Sequence, residues 1–180
     1  IYLHHEMAQT PVYPSRLFFF CEKPASGGGA TPICRSDWLL ERLHKVVPNF
    51  VDDCANKGVR YSQTMPAQDD LASGQGRSWR STLGTDDKAA AETKLAQLGY
   101  TWRWQADDAV SGTTPILPAV RKLADGSRSF FNQLIAAFFG WQDSRNVGRR
   151  AITLGDGSAL DAVAMQSAVS LAEELTVDLQ

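Results

Sequence analysis

Four segments of the chain have a spacing of hydrophobic residues, or a composition, that favours an α-helix. They are residues 38–47, 48–57, 88–98 and 161–175. Ser36 or Asp37 can cap the first helix, because a side-chain oxygen accepts hydrogen bonds from the unpaired amides of a first turn. Pro48 suits the first position of the second helix, and Asp86 or Asp87 can cap the third. The sequence therefore predicts four helices separated by extended segments.

The segments between these helices are rich in β-branched and aromatic residues, which favour strands. Predicted strands cover residues 1–3, 16–21, 31–33, 59–63, 100–104 and 151–154, and residues 176–180 begin a further extended segment. Residues 16–21 include three consecutive phenylalanines without polar alternation, so we predict a strand buried on both faces. Residues 100–104 do alternate, which places Tyr100, Trp102 and Trp104 on one face.

Two irregular regions interrupt the strands. Asp125-Gly126 is a strong turn signal, and we predict a β-hairpin formed by residues 113–120 and 127–133. Residues 64–85 are rich in Gln, Asp, Ser and Gly, and they predict a long loop whose largest apolar residue is Trp79. Loops of this length often border a functional site, although a surface loop pinned by one buried tryptophan is the alternative.

Composition is that of a single globular domain spanning residues 1–180, because 43% of the 180 residues are hydrophobic and 21% are charged. The formal net charge of −2 is spread along the chain, which argues against nucleic acid and membranes as partners and favours a small-molecule substrate. The longest apolar run, residues 135–140, is too short to cross a bilayer. Cys21, Cys34 and Cys54 form neither a C-x-x-C pair nor an even disulfide set, so we expect buried thiols and a reducing, cytoplasmic compartment.

The first ten residues carry the only plausible metal chemistry. On an extended backbone, side chains two apart share a face, so His4 and Glu6 project together while His5 points away. An imidazole and a carboxylate are two of the three ligands of the facial triad that binds non-haem Fe(II). His and Glu two residues apart often occur by chance, so spacing alone favours an exposed polar strand end over a metal site.

Several motifs resemble, in the same order, the clavaminate synthase-like branch of the taurine dioxygenase family. They are His-His-Glu-Met-Ala-Gln at 4–9, residues 14–21, Gly-Gly-Ala-Thr-Pro-Ile at 28–33, Gly-Arg-Ser-Trp-Arg-Ser-Thr at 76–82, Thr-Asp-Asp-Lys at 85–88, Phe-Asn at 131–132, Gly-Trp at 140–141 and Thr-Leu-Gly-Asp-Gly at 153–157. Members of that family are Fe(II)- and 2-oxoglutarate-dependent oxygenases. The resemblance implies an α+β fold, a double-stranded β-helix (jelly-roll) core with helical insertions.

The resemblance also implies roles for individual residues. His4 and Glu6 correspond to two iron ligands, and Thr31 corresponds to the threonine that contacts 2-oxoglutarate. Phe131 and Asn132 are candidates for lining the substrate pocket, and Trp79 is a candidate in a neighbouring lid. Without the resemblance, Thr31 would be an ordinary strand residue, and residues 131–132 would be the end of a strand.

The family's third iron ligand is a histidine on a strand after the last helix, followed by an arginine that pairs with 2-oxoglutarate. This sequence stops before that strand, and its remaining histidine, His44, falls in the first predicted helix. We therefore expect a chain truncated at both ends, with an incomplete β-helix core and an open sheet edge. The expected function is a dioxygenase that oxidises a small organic substrate and releases succinate and CO2. A non-catalytic scaffold that keeps the fold with an incomplete metal site is the alternative.

Overall fold

The computed structural model describes residues 2–179, which form six α-helices and eight strands. The helices are α1 Ser36–Val46, α2 Pro48–Lys57, α3 Trp79–Leu83, α4 Lys88–Gln97, α5 Leu134–Gly140 and α6 Ala162–Glu174. The strands are β1 Thr31–Cys34, β2 Val59–Met65, β3 Thr101–Trp104, β4 Val110–Thr113, β5 Arg121–Lys122, β6 Arg128–Ser129, β7 Ile152–Leu154 and β8 Thr176–Leu179. None of the helices in this part of the chain is long and apolar enough to cross a bilayer.

The strands form antiparallel sheets. The largest has four strands in the order β3-β4-β2-β7, and two further sheets pair β1 with β8 and β5 with β6. Over residues 2–179 the fold is thus mixed α and β, and its sheets do not close into a barrel.

Two hydrophobic cores support these sheets. The larger core packs α1, α2, α5 and α6 against β2 and β7, and fully buried side chains at its centre include Leu43, Val51 and Met165. The smaller core lies on the other part of the four-stranded sheet and contains Trp79 and Leu95. Burial of these apolar side chains is the main favourable term that holds the helices to the sheets.

All four predicted helices are confirmed, with small changes at their ends. Pro48 begins α2, and Gly58 ends it with a φ of 65°, where an added Cβ would lie 2.7 Å from the carbonyl oxygen of Leu117. The carboxylate of Asp87 accepts hydrogen bonds from the first-turn amides of α4, as predicted. The predicted cap of α1 is wrong, because the helix begins at Ser36 and its N-cap residue Arg35 makes no side-chain capping bond.

The predicted buried strand at residues 16–21 is wrong. Phe18, Phe19 and Phe20 are 89%, 78% and 90% exposed, and the segment pairs with no strand within residues 2–179. An apolar run favours burial only where a complementary surface covers it, and the described residues provide none here. The expectation of buried thiols also fails in part: Cys54 is buried, with its pKa raised by burial to about 12, whereas Cys21 is exposed.

The long loop is shorter than predicted, and the hairpin is confirmed only in its turn and its second strand. Strand β2 extends to Met65, and α3 occupies the end of the predicted loop. The hairpin pairs β5 with β6 and has Gly126 at a φ of 86° in its turn. The predicted first strand, residues 113–120, is wrong, because β5 begins only at Arg121 and Thr113 belongs to β4. Strand β4 was not predicted, although it pairs with β2 on one side and β3 on the other.

Candidate metal and cofactor site

His4 and Glu6 lie side by side, as the alternation of side chains predicts. Their nearest atoms, His4 Nε2 and Glu6 Oε2, are 4.0 Å apart. The backbone that carries them is not a regular strand over residues 2–5, and Ile1 of the predicted strand lies outside the described residues. His4 and Glu6 therefore lie together without a strand partner, but strict alternation is not shown, because His5 borders the same cleft as they do.

The other ring nitrogen of His4, Nδ1, already makes a hydrogen bond within the protein. Nδ1 lies 2.8 Å from the carbonyl oxygen of Tyr2, and because a carbonyl oxygen can only accept, Nδ1 must carry the proton. The lone pair is then on Nε2, the atom nearest Glu6. Histidines that bind metals usually donate their other ring N–H to a carbonyl or carboxylate in this way, which fixes the tautomer.

The separation of these two side chains is compatible with a shared cation. Ligand atoms lying about 2.1 Å from one metal ion are at most about 4.2 Å apart, and adjacent ligands of an octahedral ion are about 3.0 Å apart. The observed 4.0 Å lies within the first limit but is about 1 Å longer than the second. The pair can therefore bind one divalent ion as adjacent ligands once the exposed Glu6 side chain moves about 1 Å closer to His4.

These residues border a cleft of about 260 Å³. Thr31 and Asn132 line the same cleft, so four of the six candidate site residues come together. Apolar side chains of its wall include Leu39, Phe130 and Ile135, all of them buried. The cleft combines an apolar wall with a few polar groups, the usual composition of a small-molecule site.

Residues 4–6 carry both candidate metal ligands and are called the ligand segment here. His5 holds this segment to the rest of the protein through hydrogen bonds. Its amide donates to the carbonyl oxygen of Asn132 at 3.3 Å, and its own carbonyl oxygen accepts from Nε2 of Gln133 at 3.0 Å. Its ring packs at a tilt of 46° against Phe131, with centroids 4.7 Å apart. Burial, and secondly the neighbouring His4, lower the pKa of His5, which favours the neutral ring. Nothing in the sequence pattern indicated these contacts of His5.

Asn132 and Phe131 occupy different positions relative to the cleft. The amide of Asn132 is buried, donates to the carbonyl oxygen of Ala119 at 3.0 Å and accepts from the amide of Leu134 at 3.0 Å. Phe131 is absent from the lining of the cleft and packs between His5 and Tyr13. Substrate contact by either residue remains a prediction.

Trp79 lies apart from the cleft. It is 0% exposed in the smaller core, its Nε1 donates to the carbonyl oxygen of Asp108 at 3.0 Å, and it packs edge-on against Trp104. This position matches the alternative stated for Trp79, a loop pinned by one buried tryptophan. Its proposed lid role remains a prediction.

The described residues supply two candidate metal ligands. Within residues 2–179 no third His, Cys, Asp or Glu joins His4 and Glu6 in a metal-binding group. His44 lies on α1 with its Nε2 3.5 Å from a carboxylate oxygen of Asp52 on α2, so it lies beside a surface carboxylate instead.

Comparison with known proteins gives two relatives. The chain is 38% identical over 172 residues to a clavaminate synthase-like protein of Arabidopsis thaliana, an alignment covering 95% of the chain and 52% of the relative. It is 26% identical over 132 residues to the dapdiamide synthesis protein DdaC of Enterobacter agglomerans, covering 73% of the chain and 37% of the relative. No family model matches the chain.

The chain thus spans about half the length, or less, of the curated relatives it matches. The name of the first relative, to which the chain is 38% identical over 95% of its length, points to the superfamily of oxygenases that resemble the Fe(II)/2-oxoglutarate enzymes. An oxygenase-type enzyme is therefore the class of protein that the similarity suggests.

Proposed function

We propose that the protein is a dioxygenase dependent on Fe(II) and 2-oxoglutarate, which oxidises a small organic substrate and releases succinate and CO2. The observation that carries the proposal is the arrangement of His4 and Glu6: one imidazole with its Nε2 lone pair free and one carboxylate, 4.0 Å apart in a cleft. The bound metal and 2-oxoglutarate would supply the oxidising chemistry. The protein's part is to hold them, orient the substrate and limit access of water.

Each residue of the cleft then has a task. His4 Nε2 and the Glu6 carboxylate bind the metal, while the carbonyl oxygen of Tyr2 holds the His4 ring in the required tautomer. The hydroxyl of Thr31, at the start of β1, contacts 2-oxoglutarate. The buried wall that includes Phe130 lowers the local dielectric and strengthens these polar contacts.

A facial triad needs one more ligand. We propose that a histidine outside the described residues completes it, and that the antiparallel sheets described above are part of a jelly-roll core. Both points rest on the similarity to clavaminate synthase-like proteins, which are longer than this chain.

The test is an anaerobic titration of the whole protein, including the residues that would supply the third ligand, with Fe(II) and 2-oxoglutarate. It records the weak visible absorption of the metal chelate. We expect the band in wild type and its loss in His4→Ala and Glu6→Ala. His44→Ala is the matched control, because it removes a surface histidine of α1 that lies beside Asp52 of α2 and does not line the cleft. Absence of the band in folded wild type overturns the oxygenase proposal and leaves a non-catalytic scaffold as the better account.

A further inference from the structure

A second cavity lies on the other side of the ligand segment. It has a volume of about 220 Å³ and lies between residues 7–12, strands β2 and β4, and helix α4. Its walls include Met7, Tyr61, Leu95, Tyr100 and Trp141. Among the described residues it shares no lining side chain with the cleft of His4 and Glu6, so the two are separate spaces.

A backbone turn at Met7 separates the two spaces. Met7 has a φ of 55°, a conformation that residues with a side chain rarely adopt, and its neighbours close a turn in which Ala8 donates to the carbonyl oxygen of His5 at 3.2 Å. Glu6 therefore borders one cavity and Met7 the other. Residues held in such backbone conformations are often found at ligand sites.

The lining of this cavity is uncharged and mostly apolar. Within residues 2–179, no Asp, Glu, Lys, Arg or His contributes to it. Several of its polar side chains already have partners in the protein: Thr114 donates to the carbonyl oxygen of Pro115, and Gln63 donates to Gln75. A charged ligand such as 2-oxoglutarate is therefore excluded, because this lining does not offset the loss of its hydration.

Gln9 differs from the other lining residues in having a fully buried side-chain atom without a partner. It lines the cavity, and its Oε1 has no hydrogen-bond partner among the described residues. Buried polar atoms almost always have a partner, so an unpaired acceptor at the wall of a cavity indicates that a donor is received there. The cavity thus offers mostly apolar walls and one buried acceptor that lacks a partner.

We propose that this cavity binds a small, uncharged, mainly apolar molecule whose N–H or O–H group donates to Oε1 of Gln9. Size agrees with a ring system of two fused rings, because an apolar protein cavity of about 150 Å³ binds benzene. The site needs neither metal nor 2-oxoglutarate, so it goes beyond the proposed function. Aromatic neighbours such as Tyr100 and Trp141 provide faces for a flat ligand.

The test uses indole, which has one N–H donor, and indene, which has nearly the same shape without a donor. Calorimetric titration is done without Fe(II) or 2-oxoglutarate, so that failure of the oxygenase proposal cannot affect the result. We expect wild type to bind indole more tightly than indene, by roughly three- to tenfold for one hydrogen bond. Gln9→Met keeps the length of the side chain without the acceptor, and we expect it to remove that preference.

A cavity-filling variant provides the second measurement. Leu98→Trp places a large side chain in the cavity, so we expect this variant to bind neither indole nor indene. If Leu98→Trp does not fold, Leu83→Trp fills the cavity from another wall and serves the same purpose. The exposed variant Leu71→Trp is the control and should bind as wild type does. The proposal is overturned if wild type binds neither probe, if cavity-filled protein still binds them, or if indole and indene bind equally well.

Discussion

The amide of His5 donates a hydrogen bond to the carbonyl oxygen of Asn132, 3.3 Å away. This bond ties the segment that carries His4 and Glu6 to the segment between β6 and α5. The side chain of Gln133 adds a second bond, to the carbonyl oxygen of His5. His5 lies between His4 and Glu6, and these two bonds hold its backbone in place. The side chains of His4 and Glu6 are not used for this and can face the cleft.

The first prediction concerns the bond from Gln133. Gln133→Met removes the donor and leaves the carbonyl oxygen of His5 without it, so we expect a loss of about 1 kcal/mol in the free energy of unfolding. We also expect weaker Fe(II) binding, because the ligand segment is less well held. Thermal unfolding and the anaerobic Fe(II) titration measure the two effects.

Gln142→Met is the matched control for that variant, since Gln142 is exposed and follows α5. It should change neither quantity. If Gln133→Met binds Fe(II) as tightly as wild type while being less stable, the bond to His5 supports the fold but does not organise the ligands.

The second prediction concerns Thr31. If its hydroxyl contacts 2-oxoglutarate, Thr31→Val should weaken 2-oxoglutarate binding by roughly tenfold or more, the usual cost of losing a hydrogen bond to a charged group. Fe(II) binding without 2-oxoglutarate should be unchanged, because the hydroxyl is not a metal ligand. The measurement is the dependence of the visible band on 2-oxoglutarate concentration at fixed Fe(II).

Thr93→Val is the control, because the Thr93 hydroxyl bonds within α4, to the carbonyl oxygen of Ala89. Equal 2-oxoglutarate affinities for wild type, Thr31→Val and Thr93→Val would reject the assignment of Thr31.

Local sequence signals predicted four of the six helices, α1, α2, α4 and α6, because such signals act within about one turn of the chain, whereas α3 and α5 were not predicted. Pro48 and Gly58 bound α2, and Asp87 caps α4, as expected from residues that are close in sequence. The shared direction of His4 and Glu6 is local in the same sense. Such features depend on backbone geometry and need no information about distant partners.

Features that depend on distant partners were missed. The bond between Gln133 and His5 joins residues 128 positions apart, and no spacing pattern indicates it. Strand β4 contains Gly112, which weakens the strand signal, and it forms because β2 and β3 pair with both of its edges. For Phe19 the sequence predicted a buried side chain that the structure does not have. Its apolar character indicated burial, but burial requires a surface that covers the side chain.

The third prediction separates a structural role from a substrate role for Trp79. Trp79→Leu should lower the free energy of unfolding by about 3 kcal/mol, because it creates a cavity in the smaller core and leaves the carbonyl oxygen of Asp108 without its donor. The visible band of the Fe(II) and 2-oxoglutarate complex should be unchanged in folded protein, since Trp79 does not line the cleft.

Trp38→Leu provides the comparison, since Trp38 lies on α1 and is 49% exposed. It should cost much less stability than Trp79→Leu. If the Trp79 variant instead keeps wild-type stability but loses turnover of a substrate, the result would support the predicted role of Trp79 in a lid over the site.

The fourth prediction is a dependence of stability on pH that arises at Asp143. Burial alone would raise the pKa of this carboxyl group, but hydrogen bonds from the amides of Arg145 and Asn146 and from the Ser73 hydroxyl lower it to about 2. The guanidinium of Arg145 forms ion pairs with both Asp143 and Asp70. The pair with Asp70 joins the loop after α5 to the loop after β2. Asp143→Asn should therefore destabilise the protein at pH 7 by about 1–3 kcal/mol.

The sign of the pH effect follows from the lowered pKa. The unfolded chain takes up a proton near the ordinary value of 3.8, while the folded protein does so only near 2, so the contribution of Asp143 is complete above about pH 4 and is lost as the pH falls towards 2. The difference in stability between wild type and Asp143→Asn, measured by urea unfolding, should shrink over that range. Glu41→Gln removes the same charge from the exposed surface of α1 and should show no such change. A difference that stays constant as the pH falls from 7 to about 2 would mean that the hydrogen bonds to the charged carboxylate contribute little, and that the shape of the Asp143 side chain alone joins the two loops.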